Sequence, residues 1–183
     1  MKQHTVIPAI RNLTDLPRAL SAPSEVVFLL DGEIIQLRQI VQRVKAVGKD
    51  IYIHLDLIKG IKEDDSSIHF LAEELRIDGI ISTRASSLLC ARKYHLDTVQ
   101  RGFLIDSQSQ KTIVKSAKTA QPDYIELMPS FSHVKLDEIK AQTQADIILG
   151  GFVETEQDIE RLFASAATAV STSESHLWTY RPA

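Results

Sequence analysis

The sequence predicts an α/β protein built as a compact (β/α)8 TIM-like barrel with a reduced eighth helix, and three observations support this fold class. Short runs rich in β-branched residues alternate with amphipathic segments, as in βαβ units around a parallel sheet. Eight such runs are separated by seven helical segments, which suits a closed barrel. The last two runs end in small residues, at the position where barrels of this kind bind phosphate.

Each candidate strand is a short apolar run whose composition favours extended backbone. In chain order the eight predicted strands are Val6 to Ile10, Glu25 to Leu30, Ile51 to Asp56, Gly79 to Ser82, Val99 to Ile105, Tyr124 to Met128, Ile147 to Gly150 and Ala169 to Thr172.

The segments between these strands have helical periodicity, with apolar residues three and four positions apart. The predicted helices lie near Leu13 to Leu20, Glu33 to Val47, Ser66 to Arg76, Ser86 to Tyr94, Ser107 to Thr119, Lys135 to Gln142 and Thr155 to Ala164. The first is the weakest, because Pro17 is tolerated only in a first helical turn. Leu177 and Trp178 are expected to form the stub of an eighth helix.

The length of 183 residues suits one domain spanning 1–183. A barrel of this type commonly has about 250 residues, so short loops are expected here. An open, flavodoxin-like sheet is the alternative fold, but it leaves some of the eight runs unexplained.

Composition excludes several classes of protein. With 44% hydrophobic and 25% charged residues the chain is of ordinary globular type, and a net charge of −3 gives no overall attraction to nucleic acid or membranes. The single cysteine, Cys90, cannot form an internal disulfide and is expected to be an inert thiol packed in a helix. We expect a cytoplasmic protein with no membrane partner, since no segment approaches the about 20 apolar residues of a membrane span.

The ends of the last two predicted strands are the most informative segments for function. Gly150 and Gly151 end the seventh strand, and Ser171, Thr172 and Ser173 end the eighth. Glycines let the backbone approach an anion closely, and hydroxyls with free N–H groups supply donors. A small phosphorylated molecule is therefore the first ligand to consider.

Alternation along the strands predicts which side chains enter the barrel. In the third strand the aliphatic residues are expected to face the helices, so that Tyr52, His54 and Asp56 point inward. Glu126 enters the lumen by the same argument. His54 can equally be a core histidine and Asp56 a turn cap.

In the fifth strand, Gln100 and Asp106 are both at even-numbered positions, so their side chains are expected on the same face, toward the interior. Arg101 is expected on the opposite face with Phe103 and Ile105, toward a helix. Arg84, after the fourth strand, can reach over the rim toward an anion, because a guanidinium binds phosphate oxygens in bidentate fashion.

Seven segments of the chain form a recognisable pattern: IPAIRN at 7–12, HLDLIKGI at 54–61, GIISTR at 79–84, QRGFLIDS at 100–107, QPDYIELMP at 121–129, GGF at 150–152 and ATAVSTSESHLW at 167–178. Taken together they resemble the family of glycerol-3-phosphate-responsive antiterminators, RNA-binding regulators of glycerol-uptake operons with a TIM-barrel-like domain. The resemblance extends over nearly the whole chain. Two positions differ from the family's pattern: Ser130 stands where the proline of the sixth strand is usually followed by glycine, and Ala166 stands where a glycine is expected before the eighth strand.

The resemblance implies a sensor without catalytic residues, cofactor or metal, whose liganded form acts on a leader mRNA to prevent termination. It implies glycerol 3-phosphate at the barrel mouth, in contact with three groups of residues. The phosphate contacts would be Gly150, Gly151, Ser171, Thr172 and Ser173, the further anion contacts Arg84 and Lys59, and the hydroxyl contacts Asp56, Glu126 and Asp31. Ionised carboxylates suit the last role because they only accept hydrogen bonds.

A modest basic strip on the predicted fourth and fifth helices is a candidate RNA contact, although lysines on barrel helices are usually solvated surface. Its residues are Arg92, Lys93, Lys111, Lys115 and Lys118. The chain has no common RNA-binding motif, so an RNA partner is implied only by the resemblance, and a homo-oligomer is left open.

Two other functions remain at this stage. One is a small barrel isomerase or lyase acting on a phosphorylated metabolite, with Asp56 and Glu126 as acid and base. The other is a degenerate barrel that only binds other proteins. His54 with Asp56 offers too few ligands for a metal site.

Overall fold

The computed structural model describes residues 1–181, in which eight parallel strands form a closed barrel. Each strand pairs with the next along the chain, and the eighth pairs with the first through Thr5↔Ala169 to Pro8↔Thr172. The predicted barrel is confirmed, and the open-sheet alternative is excluded. The strands are β1 Thr5–Ile10, β2 Val26–Leu29, β3 Asp50–His54, β4 Gly79–Ser82, β5 Asp97–Phe103, β6 Tyr124–Met128, β7 Asp146–Gly150 and β8 Ala169–Thr172.

Helices follow the first seven strands, close to their predicted positions. They are α1 Leu16–Ser21, α2 Ile34–Ala46, α3 Asp65–His69, α4 Ala85–Lys93, α5 Ser107–Ala120, α6 Leu136–Thr143 and α7 Glu156–Phe163. Three of them begin with reciprocal side-chain caps, formed by Glu33 with Gln36, Asp106 with Ser109 and Thr155 with Asp158. In the described residues, no helix combines the length and apolar character needed to cross a membrane.

Local deviations from the prediction occur at three places in two connections. The third helix continues as a π-helix over Phe70–Glu74, and β3 ends at His54 because Leu55–Leu57 turns into a 3-10 helix. A further 3-10 helix, Ser130–Lys135, lies between β6 and α6.

The eighth helix is reduced to the 3-10 segment Ser175–Thr179, as expected. Leu177 and Trp178 are both 1% exposed, and Trp178 Nε1 donates a hydrogen bond of 2.8 Å to the carbonyl of Thr172. This short segment therefore packs on the outside of the barrel against β1, β8 and α1, and it fixes the last residue of β8.

The core has an inner and an outer layer. The inner cluster consists of alternate strand residues, including Tyr52 and Val99, and no helix residue belongs to its buried set. Ile51 and Ile53 belong to an outer cluster with residues of the surrounding helices. The predicted inward orientation of Tyr52 and His54 in β3 therefore agrees with the packing.

The orientation predicted for β5 is wrong. Gln100 faces outward, and its Nε2 donates to the carbonyl of Ile113 in α5 at 3.0 Å. Arg101 points inward instead, where its Nε donates to Glu126 Oε2 at 2.6 Å. Asp106 lies beyond β5 and caps α5, and does not reach the interior.

The reason for the error lies at the end of β5. The prediction placed Phe103 and Ile105 against the helices because they are apolar, but they reach the barrel rim and beyond and are 51% and 84% exposed. Val99 is fully buried and packs in the inner cluster. Because side chains alternate along a strand, Arg101, two residues later, also points into the barrel.

Candidate functional site

A cavity of about 220 Å³ opens at the carboxyl ends of the strands, on the side formed by β5 to β8 and β1. Its lining includes Arg11, Arg101, Glu126 and the segments 151–154 and 171–174. This is the end of a (β/α)8 barrel where ligands bind. Gly151, Ser171, Thr172, Ser173 and Glu126, all predicted ligand residues, thus come together around one cavity.

A second cavity, of about 200 Å³, lies at the opposite end of the barrel. Carboxylates of Glu25, Asp50 and Asp97 line it. Lys2 and Arg181 line it as well, so its charges are mixed, and it lies at the end opposite to the one where (β/α)8 barrels bind ligands.

Two glycines shape the end of β7 and the loop that follows it. Gly150 faces β8 so closely that a Cβ at this position would collide with Ser171 Oγ. Gly151 has φ +78° and a Cβ there would lie 3.0 Å from Met128 Cε, so a side chain would be both strained and crowded. The loop backbone can therefore come close to a molecule in the cavity.

Two hydroxyls of β8 are already hydrogen-bonded, and they hold the loops in place. Ser171 Oγ donates to Glu126 Oε1 at 2.6 Å, and Thr172 Oγ1 donates to the carbonyl of Val153 at 2.8 Å. Thr172 Oγ1 also accepts from the backbone N–H of Glu174. Thr172 therefore joins the segments 151–154 and 171–174 to each other.

A buried ion pair lies at the base of the cavity. The side chains of Arg101 and Glu126 are 4% and 1% exposed, and Nε of Arg101 bonds to the carboxylate. Nη2 of Arg101 is buried, with no hydrogen-bond partner in residues 1–181. A buried donor without an acceptor is costly, and an anion in the cavity would supply one.

Arg11 adds a second cation to the cavity. It follows β1 directly, its side chain is exposed, and it forms no ion pair within the described residues. Sequence reasoning identified neither arginine as a ligand residue. Arg101 could have been found from the sequence by assuming that Val99, two residues before it, faces the barrel interior. Arg11 could have been found from its position immediately after a barrel strand.

His54 lies in the lumen close to this charged pair and is 3% exposed. Burial, and next the positive charge of Arg101, lower its pKa to about 4. The imidazole is therefore neutral at pH 7. Its Nδ1 lies 3.6 Å from Asp56 Oδ2 and has no hydrogen-bond partner among residues 1–181.

Four other predicted ligand residues lie on the β2 to β4 side of the rim and do not line this cavity. Arg84 pairs with Glu63 at 3.1 Å, and Lys59 lies 3.7 Å from Glu33. Asp56 accepts a hydrogen bond of 3.3 Å from the backbone N–H of Thr83, and Asp31 is half-buried.

The predicted basic strip divides into two parts. Arg92 donates to the carbonyl of Ala120 at 3.3 Å, and Lys93 pairs with Asp65 at 3.2 Å. In contrast, Lys111, Lys115 and Lys118 line an open groove beside α5.

Cys90 does not line the cavity. Cys90 is half-buried, and burial with a hydrogen bond to Asp65 raises the pKa of its thiol to about 11, so it is protonated. Within residues 1–181 no group of three or more His, Cys, Asp or Glu is arranged to hold a metal ion.

Comparison with known proteins identifies the family. Residues 6–178 match the model of the family described as glycerol-3-phosphate responsive antiterminator. The glycerol uptake operon antiterminator regulatory protein of Listeria monocytogenes is 34% identical, with 97% of this chain and 96% of that chain covered and a TM-score of 0.91. A glycerol uptake operon antiterminator-related protein of Thermotoga maritima is 26% identical, with coverage of 98% and 100% and a TM-score of 0.86.

A curated relative agrees with this result. The uncharacterized protein YgcP of Escherichia coli strain K12 is 32% identical over 98% of this chain and 94% of its own length. The family resemblance of the seven sequence segments is thereby confirmed. The protein belongs to the family of glycerol-3-phosphate responsive antiterminators.

Proposed function

We propose that this protein binds glycerol 3-phosphate at the barrel mouth and, in the liganded state, acts on the leader mRNA of glycerol-uptake genes to prevent transcription termination. The observation that carries the ligand assignment is the buried Arg101 Nη2 beside the glycine loop of β7, which has no acceptor among residues 1–181. Such a function belongs in the cytoplasm, where transcripts are made.

The phosphate group suits the β7 and β8 side of the cavity. Arg101 and Arg11 supply positive charge, and the segments after β7 and β8 bring the backbone to the edge of the cavity. Charge-assisted hydrogen bonds of this kind are the strong ones. Gly150, Gly151, Ser171, Thr172 and Ser173 are the proposed phosphate contacts.

The glycerol hydroxyls suit the carboxylate of Glu126, which lines the same cavity. The remaining residues, Asp31, Asp56, Lys59 and Arg84, are proposed as outer contacts.

A sensor fits this arrangement better than an enzyme. Ser171 and Arg101 each donate to one oxygen of Glu126 and hold the carboxylate in place, which leaves a lone pair on each oxygen to accept from a glycerol hydroxyl. Asp56, the other half of the acid and base pair, lies outside the cavity lining. Binding without turnover is therefore the proposed activity.

Calorimetric titration tests the ligand assignment. Glycerol 3-phosphate should bind, whereas glycerol should not, because Arg11 and Arg101 require an anion. Arg11→Gln should weaken binding about tenfold, the effect of losing one charge-assisted hydrogen bond. Arg38→Gln, an exposed arginine of α2 outside the cavity, is the matched control and should bind normally.

A glycine substitution tests the position of the phosphate. Gly151→Asp should abolish binding by placing a carboxylate against the anion, and Gly151→Ala controls for the backbone strain alone. Wild-type affinity in Gly151→Asp would place the ligand elsewhere. Product analysis after prolonged incubation completes the test, since turnover of glycerol 3-phosphate would contradict the sensor.

RNA binding is tested separately, by selecting RNA from a randomised pool with the wild-type protein in the presence of glycerol 3-phosphate. The enriched RNA should bind more weakly when the ligand is left out. Indifference to the ligand would contradict ligand-dependent action on RNA.

A further inference from the structure

An exposed apolar surface lies on the barrel rim beyond β5, β6 and β7. We call this surface the aromatic rim. Its residues are Ile105, Phe131, Val134 and Phe152, whose exposed fractions are 84%, 61%, 74% and 73%. These are four of the ten large hydrophobic side chains that are exposed in residues 1–181. Clustering of such residues on one side of a folded chain marks an interaction site.

The two phenylalanines of this rim form a flat stack. Their rings lie 6.3 Å apart between centroids, at an interplanar angle of 18°. Neither ring is buried against the core, so both can take up a planar partner. Flat aromatic faces stack with every nucleic acid base.

A positively charged groove adjoins the aromatic rim. Lys111, Lys115 and Lys118 line this lysine groove, which has a volume of about 580 Å³. Ser107 and Gln110 border both the groove and the depression beside Phe131, so the two surfaces are continuous.

The charge of the groove is not balanced locally. No carboxylate is among its lining residues, and none of its three lysines forms an ion pair within residues 1–181. The chain as a whole carries a net charge of −3. Positive charge is thus concentrated beside the stacked rings, and this favours a polyanion over a second copy of the chain, which would bring the same lysines to a shared interface.

The aromatic rim is connected to the ligand cavity. Phe152 lines the cavity and has φ +55°, a strained conformation for a residue with a side chain. The carbonyl of the preceding Gly151 accepts a hydrogen bond of 3.1 Å from the N–H of Ser130, which begins the 3-10 helix that carries Phe131. A ligand that contacts residues 151–154 therefore contacts the loop that holds one ring of the stack.

We propose that the aromatic rim and the lysine groove form the binding site for single-stranded RNA. Bases stack on Phe131 and Phe152, and the phosphates that follow lie along Lys111, Lys115 and Lys118. Glycerol 3-phosphate strengthens this site by fixing Phe152 in the stacking position. The inference rests on the proposed function and specifies where RNA binds and how the ligand reaches it.

The test uses the RNA enriched by the wild-type protein from a randomised pool with glycerol 3-phosphate, labelled for fluorescence anisotropy. Phe131→Ala should weaken RNA binding about tenfold, because one base loses its stacking partner. Phe131→Trp should restore it. Ile35→Ala is the matched control, since Ile35 is 82% exposed near the start of α2, across the barrel from β6, and its loss should change nothing.

The lysine groove has its own measurement. Lys115→Gln should reduce the slope of log affinity against log salt concentration by about 0.7, the value for one phosphate contact on a single strand. An unchanged slope would overturn the assignment of the groove.

Calorimetry with glycerol 3-phosphate separates this inference from the proposed function. Phe131→Ala should bind the ligand like the wild type, because Phe131 does not line the cavity. If the wild type fails to bind glycerol 3-phosphate, the proposed function is wrong. Anisotropy of the labelled RNA without the ligand, compared between wild type and Phe131→Ala, then still tests whether the aromatic rim binds RNA.

Crosslinking gives a readout that does not depend on variants. RNA carrying 5-iodouridine should crosslink to peptides that contain Phe131 or Phe152. Crosslinks confined to other peptides, equal RNA affinity of Phe131→Ala and wild type, or enrichment of no RNA would each overturn the inference. So would sedimentation data in which Phe131→Ala dissociates a dimer while RNA affinity is retained, since the rim would then be a self-association surface.

Discussion

At the scale of single residues, the base of the ligand cavity is held by one buried ion pair whose two partners come from neighbouring strands. Arg101 and Glu126 face each other across the β5 and β6 register. Glu126 also binds Ser171, so one carboxylate joins β5, β6 and β8. An anion in the cavity would complete this group by bonding Nη2 of Arg101, which has no partner in the part of the chain that the structure describes.

Removal of the negative charge tests this arrangement. Glu126→Gln keeps the side-chain volume but leaves Arg101 buried without its counter-charge, so the free energy of unfolding should fall by about 3–5 kcal/mol. Inorganic phosphate should restore more stability in this variant than in the wild type. Urea unfolding with and without phosphate measures both effects, and Glu138→Gln, which alters an exposed pair with Lys135, should change little.

A pH dependence follows from His54. Its pKa is about 4 in the folded protein against an ordinary value of 6.5, so the unfolded chain binds a proton that the folded protein does not. The contribution to stability is therefore present above pH 6.5 and is lost as the pH falls toward 4, in total about 3 kcal/mol. The free energy of unfolding in urea, measured between pH 4 and 7.5, should fall less steeply with decreasing pH in His54→Gln than in the wild type. The same pH dependence in both proteins would contradict the role given to His54.

At the scale of elements, short irregular segments shape the site more than the regular helices do. The 3-10 helix Ser175–Thr179 takes the place of an eighth helix and holds Thr172 through Trp178. The 3-10 helix Ser130–Lys135 carries Phe131 to the rim. Sequence reasoning indicated the regular helices and the stub of the eighth, but not the turn Ser130–Lys135, because six residues are too few to show a helical repeat.

Substitution of Trp178 measures what the last segment contributes. Trp178→Ala removes a nearly fully buried ring and should cost about 3–5 kcal/mol of unfolding free energy. Trp178→Phe keeps most of the packing and loses the hydrogen bond to Thr172, at a cost of about 1 kcal/mol. Equal losses in the two variants, measured by urea unfolding, would show that packing of the ring is unimportant.

At the scale of the whole molecule, the closed barrel brings β7 and β8 beside β1 and joins the ligand cavity to the aromatic rim. If both sites bias the same loop, each ligand must change the affinity of the other by the same factor.

This reciprocity is measurable. Glycerol 3-phosphate should raise RNA affinity by a factor of about 5 to 150, the usual range of such coupling. RNA should raise the affinity for glycerol 3-phosphate equally, as judged by calorimetry with and without the enriched RNA. Unequal factors would mean that the two measurements report different binding events. Phe131→Ala should reduce both factors together.

The sequence by itself determined the barrel, the order of its strands and the glycine and hydroxyl ends of β7 and β8, because these depend on local periodicity and on residue types that short segments display. It also placed Glu126 in the lumen, where the alternation of β6 was unambiguous. Only the tertiary structure decided that Arg101 points inward, since the exposed Phe103 and Ile105 past the rim imitate a helix-facing pattern. Likewise, the meeting of Arg11 with Arg101, and of Phe131 with Phe152, depends on closure of the barrel, which brings together residues far apart in the chain.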